Sequence, residues 1–196
     1  MKPNISLFIT AFLLLPPLLH AAPSANARIV VASEAGAKLD SDITKGGGTD
    51  ETTLVQSILD KAPMIGALKL IVDGPILVSG LKVHSNTTIE CLNRGCGFYL
   101  ADNSNRPLIA NATPKAEGRE DHNLSFLGGT YNGNAEHQQH TTLEHGWTTA
   151  FALHGVEQVI FRDVSLTNSR TFAVYLTNWR RVSFENIYIN LDHIPK

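Results

Sequence analysis

The chain has 196 residues, 43% of them hydrophobic and 17% charged, and its 16 Lys and Arg against 18 Asp and Glu leave a formal net charge of −2. That length limits it to one domain, or one and a fragment. The charges are balanced and evenly spread, so there is no basic stripe for nucleic-acid phosphates and no acidic tail, and the apolar content excludes a disordered chain.

Met1 to Ala27 reads as an address. Lys2 precedes an apolar run from Leu7 to Leu19, and small residues end in Ala25-Asn26-Ala27, the pattern of an export signal, with Ala21 as a second position for the cut. A membrane anchor is the competing reading, but Pro16-Pro17 interrupts a run already too short for a hydrocarbon core of about 30 Å. The expectation is a secreted or periplasmic protein with no stable membrane anchor. Export also places Cys91 and Cys96, the only two cysteines, where they can be oxidised. Their C-x4-C spacing suits a short loop disulfide and offers too few ligands for structural zinc, while strand geometry can equally hold the sulfurs apart.

Residues 28–63 form an N-terminal segment with a capping helix. Gly46 to Thr52 leads into Thr53 to Ala62, where Leu54, Val55, Ile58, Leu59 and Ala62 fall at helical spacing. Asp50 is placed to accept from free backbone N–H groups two or three residues on, and Pro63 is expected to stop the helix. A phosphate loop is excluded, because the glycines have no Gly-Lys-Ser/Thr and no preceding apolar strand. A helix over the first coil is what a solenoid needs at an open end.

Residues 64–196 repeat. Phe151, Leu153, Val159, Phe161, Val164 and Leu166 each meet an apolar residue 23 positions later, at Val174, Leu176, Val182, Phe184, Ile187 and Ile189. Within each copy the apolar residues alternate at period two, the mark of strands, and the alternation breaks at Arg162-Asp163 and Glu185-Asn186, where the chain must bend. Ile89 and Cys91 precede Leu124 and Phe126 by 35 residues, and these precede Val159 and Phe161 by another 35, as if the same coil carried an extra loop. Coils of three short strands describe an all-β parallel β-helix. A β-sandwich needs many short strands too, but it needs neither a fixed step nor this scarcity of hairpin turns: Asp73-Gly74 and Asn132-Gly133 are the only Asp-Gly or Asn-Gly pairs.

Two segments carry a family likeness. Gly48-Thr49-Asp50-Glu51-Thr52 with its helix resembles the entry motif of the pectin-lyase-like superfamily of right-handed parallel β-helices. Leu124 to Asn134, with Gly128-Gly129-Thr130-Tyr131-Asn132-Gly133, resembles a coil of its polygalacturonase- and rhamnogalacturonase-like glycoside hydrolase members, with Asn132 where those often carry Asp; Phe161 to Phe172 resembles the coil that follows. The likeness runs over residues 42–196. It implies hydrolysis of pectic or other uronic-acid-containing polysaccharides by paired Asp residues, yet the family's Asn-Thr-Asp, Asp-Asp, Gly-His-Gly and Arg-x-Lys motifs are missing here. Glu144-His145-Gly146 and Leu153-His154-Gly155 are half-matches that lie too early, and the catalytic residues stay unassigned. In the family the Asn-x-Asp motif follows the strand equivalent to Phe184–Asn190. The resemblance therefore implies the N-terminal portion of a longer enzyme, inactive as it stands, with an uncapped last coil open to self-association.

The remaining candidates are contact residues. Asn168, Arg170, Tyr175 and Trp179 are placed to bind a polysaccharide, the aromatics by stacking on sugar C–H faces and Arg170 or Arg180 by pairing with a uronate carboxylate. His137, His140 and Trp147 lie in the inserted loop, possible neighbours of substrate; with His145 and His154 they fit no metal-ligand spacing, so neither metal nor cofactor is expected. Asp163 and Glu185, beside Arg180 and Arg181, are the acids a calcium-dependent lyase of this fold would use, and read more simply as a solvated edge. A non-catalytic β-helix that binds glycans or builds a surface structure is the alternative to an enzyme.

Overall fold

The computed structural model describes residues 27–139 and 148–191. Residues 1–26, read above as most of an export signal, lie outside the described residues together with His140, His145 and Trp147.

Among the described residues, fifteen strands stack into three parallel sheets. Sheet A runs β1 (Arg28–Val31), β2 (Leu68–Val72), β5 (Thr87–Cys91), β8 (Asp121–Leu127), β11 (Val156–Arg162), β14 (Arg180–Glu185). Sheet B runs β3 (Pro75–Val78), β6 (Gly97–Leu100), β9 (Thr130–Asn132), β12 (Ser165–Thr167), β15 (Tyr188–Asn190), and sheet C runs β4 (Leu81–Val83), β7 (Ile109–Asn111), β10 (Phe151–His154), β13 (Val174–Thr177). The chain visits A, B and C in turn and then returns to A one level on, so it coils as a parallel β-helix. The 23-residue step holds strand by strand: Phe151 pairs with Val174, Val159 with Val182, Phe161 with Phe184 and Leu166 with Ile189.

Alternation sends one face of every strand inward. Leu70, Ile89, Phe126, Phe161 and Phe184 form one continuous row through sheet A. Phe126 and Phe161 stack at 5.1 Å and Phe161 and Phe184 at 4.9 Å, while Phe151 from sheet C meets Phe126 edge-on at 4.7 Å. The bends fall where the alternation breaks: Asp163 and Asn186 have φ of 59° and 51° and stack on Gly128 at the A-to-B corner. A second column of left-handed residues, Asn86, Asn123, Gln158 and Arg181, bends the start of sheet A. Asn tolerates this conformation because its amide bonds locally, and here the amides also bond along the column, Asn123 to Asn86 at 2.8 Å and Asn186 to Asp163 at 2.6 Å.

The 35-residue step, the helix bounds and the role of Pro63 need correction. Ile89 pairs with Phe126, so the step there is 37 residues and not 35. Thr87, buried with no partner for its hydroxyl among the described residues, holds the inward position beside Leu124, and a two-residue slip leaves the alternation intact. Helix α1 spans Thr52–Leu59, and Pro63 opens a second short helix, α2 (Ala62–Ile65), where its missing N–H costs nothing. Asp50 does accept from the Thr52 N–H at 2.9 Å, one residue before the cap position at Glu51. Cys91 and Cys96 are separate buried thiols. The Cys91 Sγ points at the Tyr131 hydroxyl, 3.9 Å away, the next coil's Gly129 packs over it, and burial pushes its pKa up to about 12.

Helix α1 buries Val55, Ile58 and Leu59 and sits beside β4, the edge strand of sheet C. Gln56 satisfies that edge with its side chain: Oε1 accepts from the Lys82 N–H at 2.8 Å and Nε2 donates to the Lys82 carbonyl at 3.0 Å. Sheet B is overlaid by residues 38–49, where the Asn132 amide donates to the Ile43 carbonyl at 3.0 Å.

Phe161 is fully buried at the centre of the ring column. Phe161→Ala is expected to cost about 3–5 kcal/mol in urea unfolding; a loss under about 1 kcal/mol would mean that the column does not organise the core.

Candidate functional site

The outer face of sheet C is the one on which small and aromatic side chains meet. Leu81, Ile109, Phe151 and Leu153 point inward and are buried, so Lys82, Ala110, Ala152 and Tyr175 form one outward row in register. Among the described residues, 101–108, 133–139 and 148–150 belong to connections that enter this sheet from B, and 112–120 leaves it toward A, so the face lies between two sets of connections. Two alanines give it a low floor, with Lys82 at one end and the Tyr175 ring at the other.

Tyr175 does not stand alone. Its ring stacks with Phe172 at 5.6 Å and 20° and meets the His154 ring edge-on at 5.3 Å. His154, next in the same outward direction along β10, pairs with Thr177 in the strand register, and its Nδ1 is hydrogen-bonded to Thr177 Oγ1 at 2.6 Å. Asn111 holds the His154 backbone from the preceding coil, accepting from its N–H at 2.8 Å and donating to its carbonyl at 3.0 Å. Asn111 is held in turn by the buried Asp121 carboxylate, 2.9 Å away, which also accepts from the Thr113 N–H at 2.7 Å. Burial lowers the His154 pKa below its ordinary 6.5, so the ring is neutral at pH 7.

The sequence candidates separate. Tyr175 lies on this floor, and Arg170 lies in the turn 168–173 that enters β13. Asn168 is a left-handed corner residue at φ 49° whose N–H donates to the Asn190 carbonyl at 3.0 Å and whose own carbonyl accepts from Ala135. Trp179, half exposed, stands at the turn from β13 to β14. Arg180 belongs to sheet A, with its guanidinium 2.6 Å from both Glu157 oxygens; Arg181 binds the same carboxylate, and the two hold the Glu157 pKa down. Asp163 stacks on Asn186 rather than Glu185, which sits in register with Arg162. His137 lies in the loops between B and C, bonded to Asn134.

Phe172, Lys82 and Ala110 were not singled out by sequence, and His154 stood out only as a half-match to the family's His motif and within the histidine set. The 23-residue step could have found His154, since it lands on Thr177; Lys82 and Ala110 could not be found that way, because long loops separate their strands from the clear repeat. None of strands β4, β7, β10 and β13 contains an Asp or Glu. Among the described residues no group of three or more His, Cys, Asp and Glu could hold a metal ion, and no helix is long and apolar enough to cross a membrane.

No protein-family model matches the sequence, and no curated protein matches it. Solved structures do resemble the fold. A crystal structure from Parabacteroides merdae, assigned as a glycosyl hydrolase, superposes with a TM-score of 0.62 at 18% identity, covering 84% of this chain and 75% of that one. The A-module of a mannuronan C-5 epimerase from Azotobacter vinelandii superposes with a TM-score of 0.50 at 18% identity, covering 83% of this chain and 51% of that one, so this chain spans about half of the epimerase module. Likeness at this identity establishes the parallel β-helix fold.

A titration test follows from His154. The unfolded chain, with its imidazole at the ordinary 6.5, binds a proton more readily than the folded one. The contribution is therefore full above pH 6.5 and is lost as pH falls through that value toward the lowered folded pKa. His154→Gln should flatten the decline of the urea midpoint on that acid side; an unchanged decline would place the proton-linked group elsewhere.

Proposed function

We propose that this protein is a carbohydrate-active β-helix that holds a polysaccharide along the outer face of sheet C. The observation that carries the reading is the platform of Tyr175, Phe172 and His154 at one end of the Ala110–Ala152 floor. The four strands of sheet C make that floor roughly 14 Å wide, a length that suits a chain better than a small molecule. An aromatic face covers the C–H surface of a sugar while polar neighbours take its hydroxyls, and Thr177, bonded to His154, is such a neighbour. The carbohydrate-related descriptions of both structural neighbours support the same class of ligand.

The finer reading is a uronide-containing, pectic type of glycan. Lys82 on the floor, Arg106 packed beside Gly80 just ahead of β4, and Arg170 before β13 bring positive charge to both ends of the track, where carboxylates of an acidic polymer would fall. Export through the apolar leader belongs to this reading, since such polymers lie outside the cell. Glycoside hydrolase chemistry is the enzyme form of the proposal. Binding without turnover is the second form, favoured by the lack of carboxylates in the four strands of this face, which supply no acid pair.

Affinity electrophoresis against polygalacturonate and a neutral glucan, with an assay for released reducing ends, tests it. The wild type should be retarded by the acidic polymer, and Tyr175→Ala should weaken binding about three- to tenfold, the equivalent of a lost aromatic contact. Retardation without reducing ends would select the non-catalytic form. No binding to any glycan, or a Tyr175→Ala variant that binds as the wild type does, would reject the site.

A further inference from the structure

The connections from sheet B to sheet C carry a second, fully determined polar network. Residues 101–106 follow β6 and residues 133–139 follow β9 one coil later, and the two are laced together. Asn103 N–H donates to the His137 carbonyl at 2.9 Å, Asn105 N–H to Gln138 Oε1 at 2.8 Å, and Gln138 Nε2 to the Ala101 carbonyl at 2.9 Å. At the centre sits Asn134, buried and left-handed at φ 48°.

The chemistry of its neighbours fixes how Asn134 points. Nδ2 lies 2.9 Å from the Leu100 carbonyl and 2.7 Å from Asp102 Oδ1, a carbonyl and a carboxylate that only accept, so it must donate to both. The Oδ1 end must then accept, and it does so from the Tyr99 hydroxyl at 2.8 Å and from His137 Nδ1 at 2.9 Å. Nδ1 of His137 therefore carries the hydrogen, and in the neutral ring the lone pair is on Nε2. Asp102 Oδ1 stands 3.4 Å from the same Nδ1, and the His137 side chain is 55% exposed.

From this network we infer that His137 is a proton acceptor, presenting Nε2 at the B-to-C rim of the glycan track to a sugar hydroxyl or a water held there. The assignment rests on the function proposed above for its substrate. The O–H bond of the water or hydroxyl breaks as its proton moves to Nε2, the oxygen's freed electron pair bonds the anomeric carbon as the glycosidic C–O bond opens, and the departing oxygen takes up a proton from the imidazolium or from solvent, so the ring is restored without a co-reactant. Asn134 and Asp102 are positioning residues: one sets the tautomer, and the other stands 3.4 Å from Nδ1 of His137 and helps hold the ring in place.

Long-range proton–nitrogen spectra of the full chain labelled at histidine nitrogen, taken at about pH 8 where imidazoles are neutral, should show His137 as the Nδ1–H tautomer. Asn134→Ala should lose that preference, and an unchanged circular dichroism spectrum would show that the coil persists. Adding a galacturonate oligomer should shift His137 Nε2 and slow carbethoxylation of His137 by diethyl pyrocarbonate at least about threefold, leaving His84 and His122 unaffected. An Nε2–H tautomer in the free protein overturns the proposal whatever the glycan does. A glycan that perturbs the Tyr175 ring and leaves His137 unmoved overturns the role of His137 alone. If no glycan binds, the function of sheet C fails first and this role fails with it, even with the tautomer as assigned.

Discussion

A parallel coil laid on its neighbour gives each side chain little choice of partner. Strands about 4.8 Å apart and in register put every residue directly over its counterpart one turn earlier. Inward residues must then be apolar in columns, and outward residues inherit columns as well. The row from Leu70 through Ile89, Phe126 and Phe161 to Phe184 is the first kind; Lys82, Ala110, Ala152 and Tyr175 are the second. The aromatic core and the proposed glycan floor are two faces of one constraint.

What distinguishes the three outer faces is what the rest of the chain does with them. Sheet B lies under residues 38–49, tied down through Asn132. Sheet A carries solvated ion pairs, Lys69 with Glu90 at 2.6 Å and Arg180 and Arg181 with Glu157, which add little stability but keep that face polar. The four strands of sheet C contain no Asp or Glu, and its described connections enter and leave on opposite sides. The polar residues that would be prominent in a sequence are mostly spent on holding corners: Asn86 with Asn123, Asp163 with Asn186, and Asn111 with Asp121.

The solenoid was legible from sequence because the last two coils have almost nothing between their strands, so six inward positions repeat at one interval. It became illegible where an inward position was polar. Thr87 broke the apolar column, and matching Ile89 to Leu124 then looked as good as the true pairing with Phe126, because parity cannot see a shift of two. Pro63 was misread for a related reason: the same fixed φ that ends one helix also suits the first turn of another. Left-handed corners could be guessed at Asn123 and Asn186 but not at Gln158 or Arg181, whose side chains carry no such preference and adopt the shape because the column requires it. Of the site, Tyr175 could be placed by the 23-residue step, whereas Lys82 and Ala110 come into line only in the folded chain. The network that sets the His137 tautomer joins residues more than 30 apart through a loop insertion that has no repeat to read.

Gln56 has a bearing on how such a face can change over time. Its amide presents one acceptor and one donor to the Lys82 backbone, the same pair that another strand would offer. It is a counterfeit strand one residue long, carried on a helix whose apolar face is already committed to the core. A longer track on that side would require the helix to be evicted, whereas a coil added between existing ones would leave it in place. Lengthening by internal duplication is thus the easier route, and the 23-residue interval shared by the last two coils has the form such a duplication would leave.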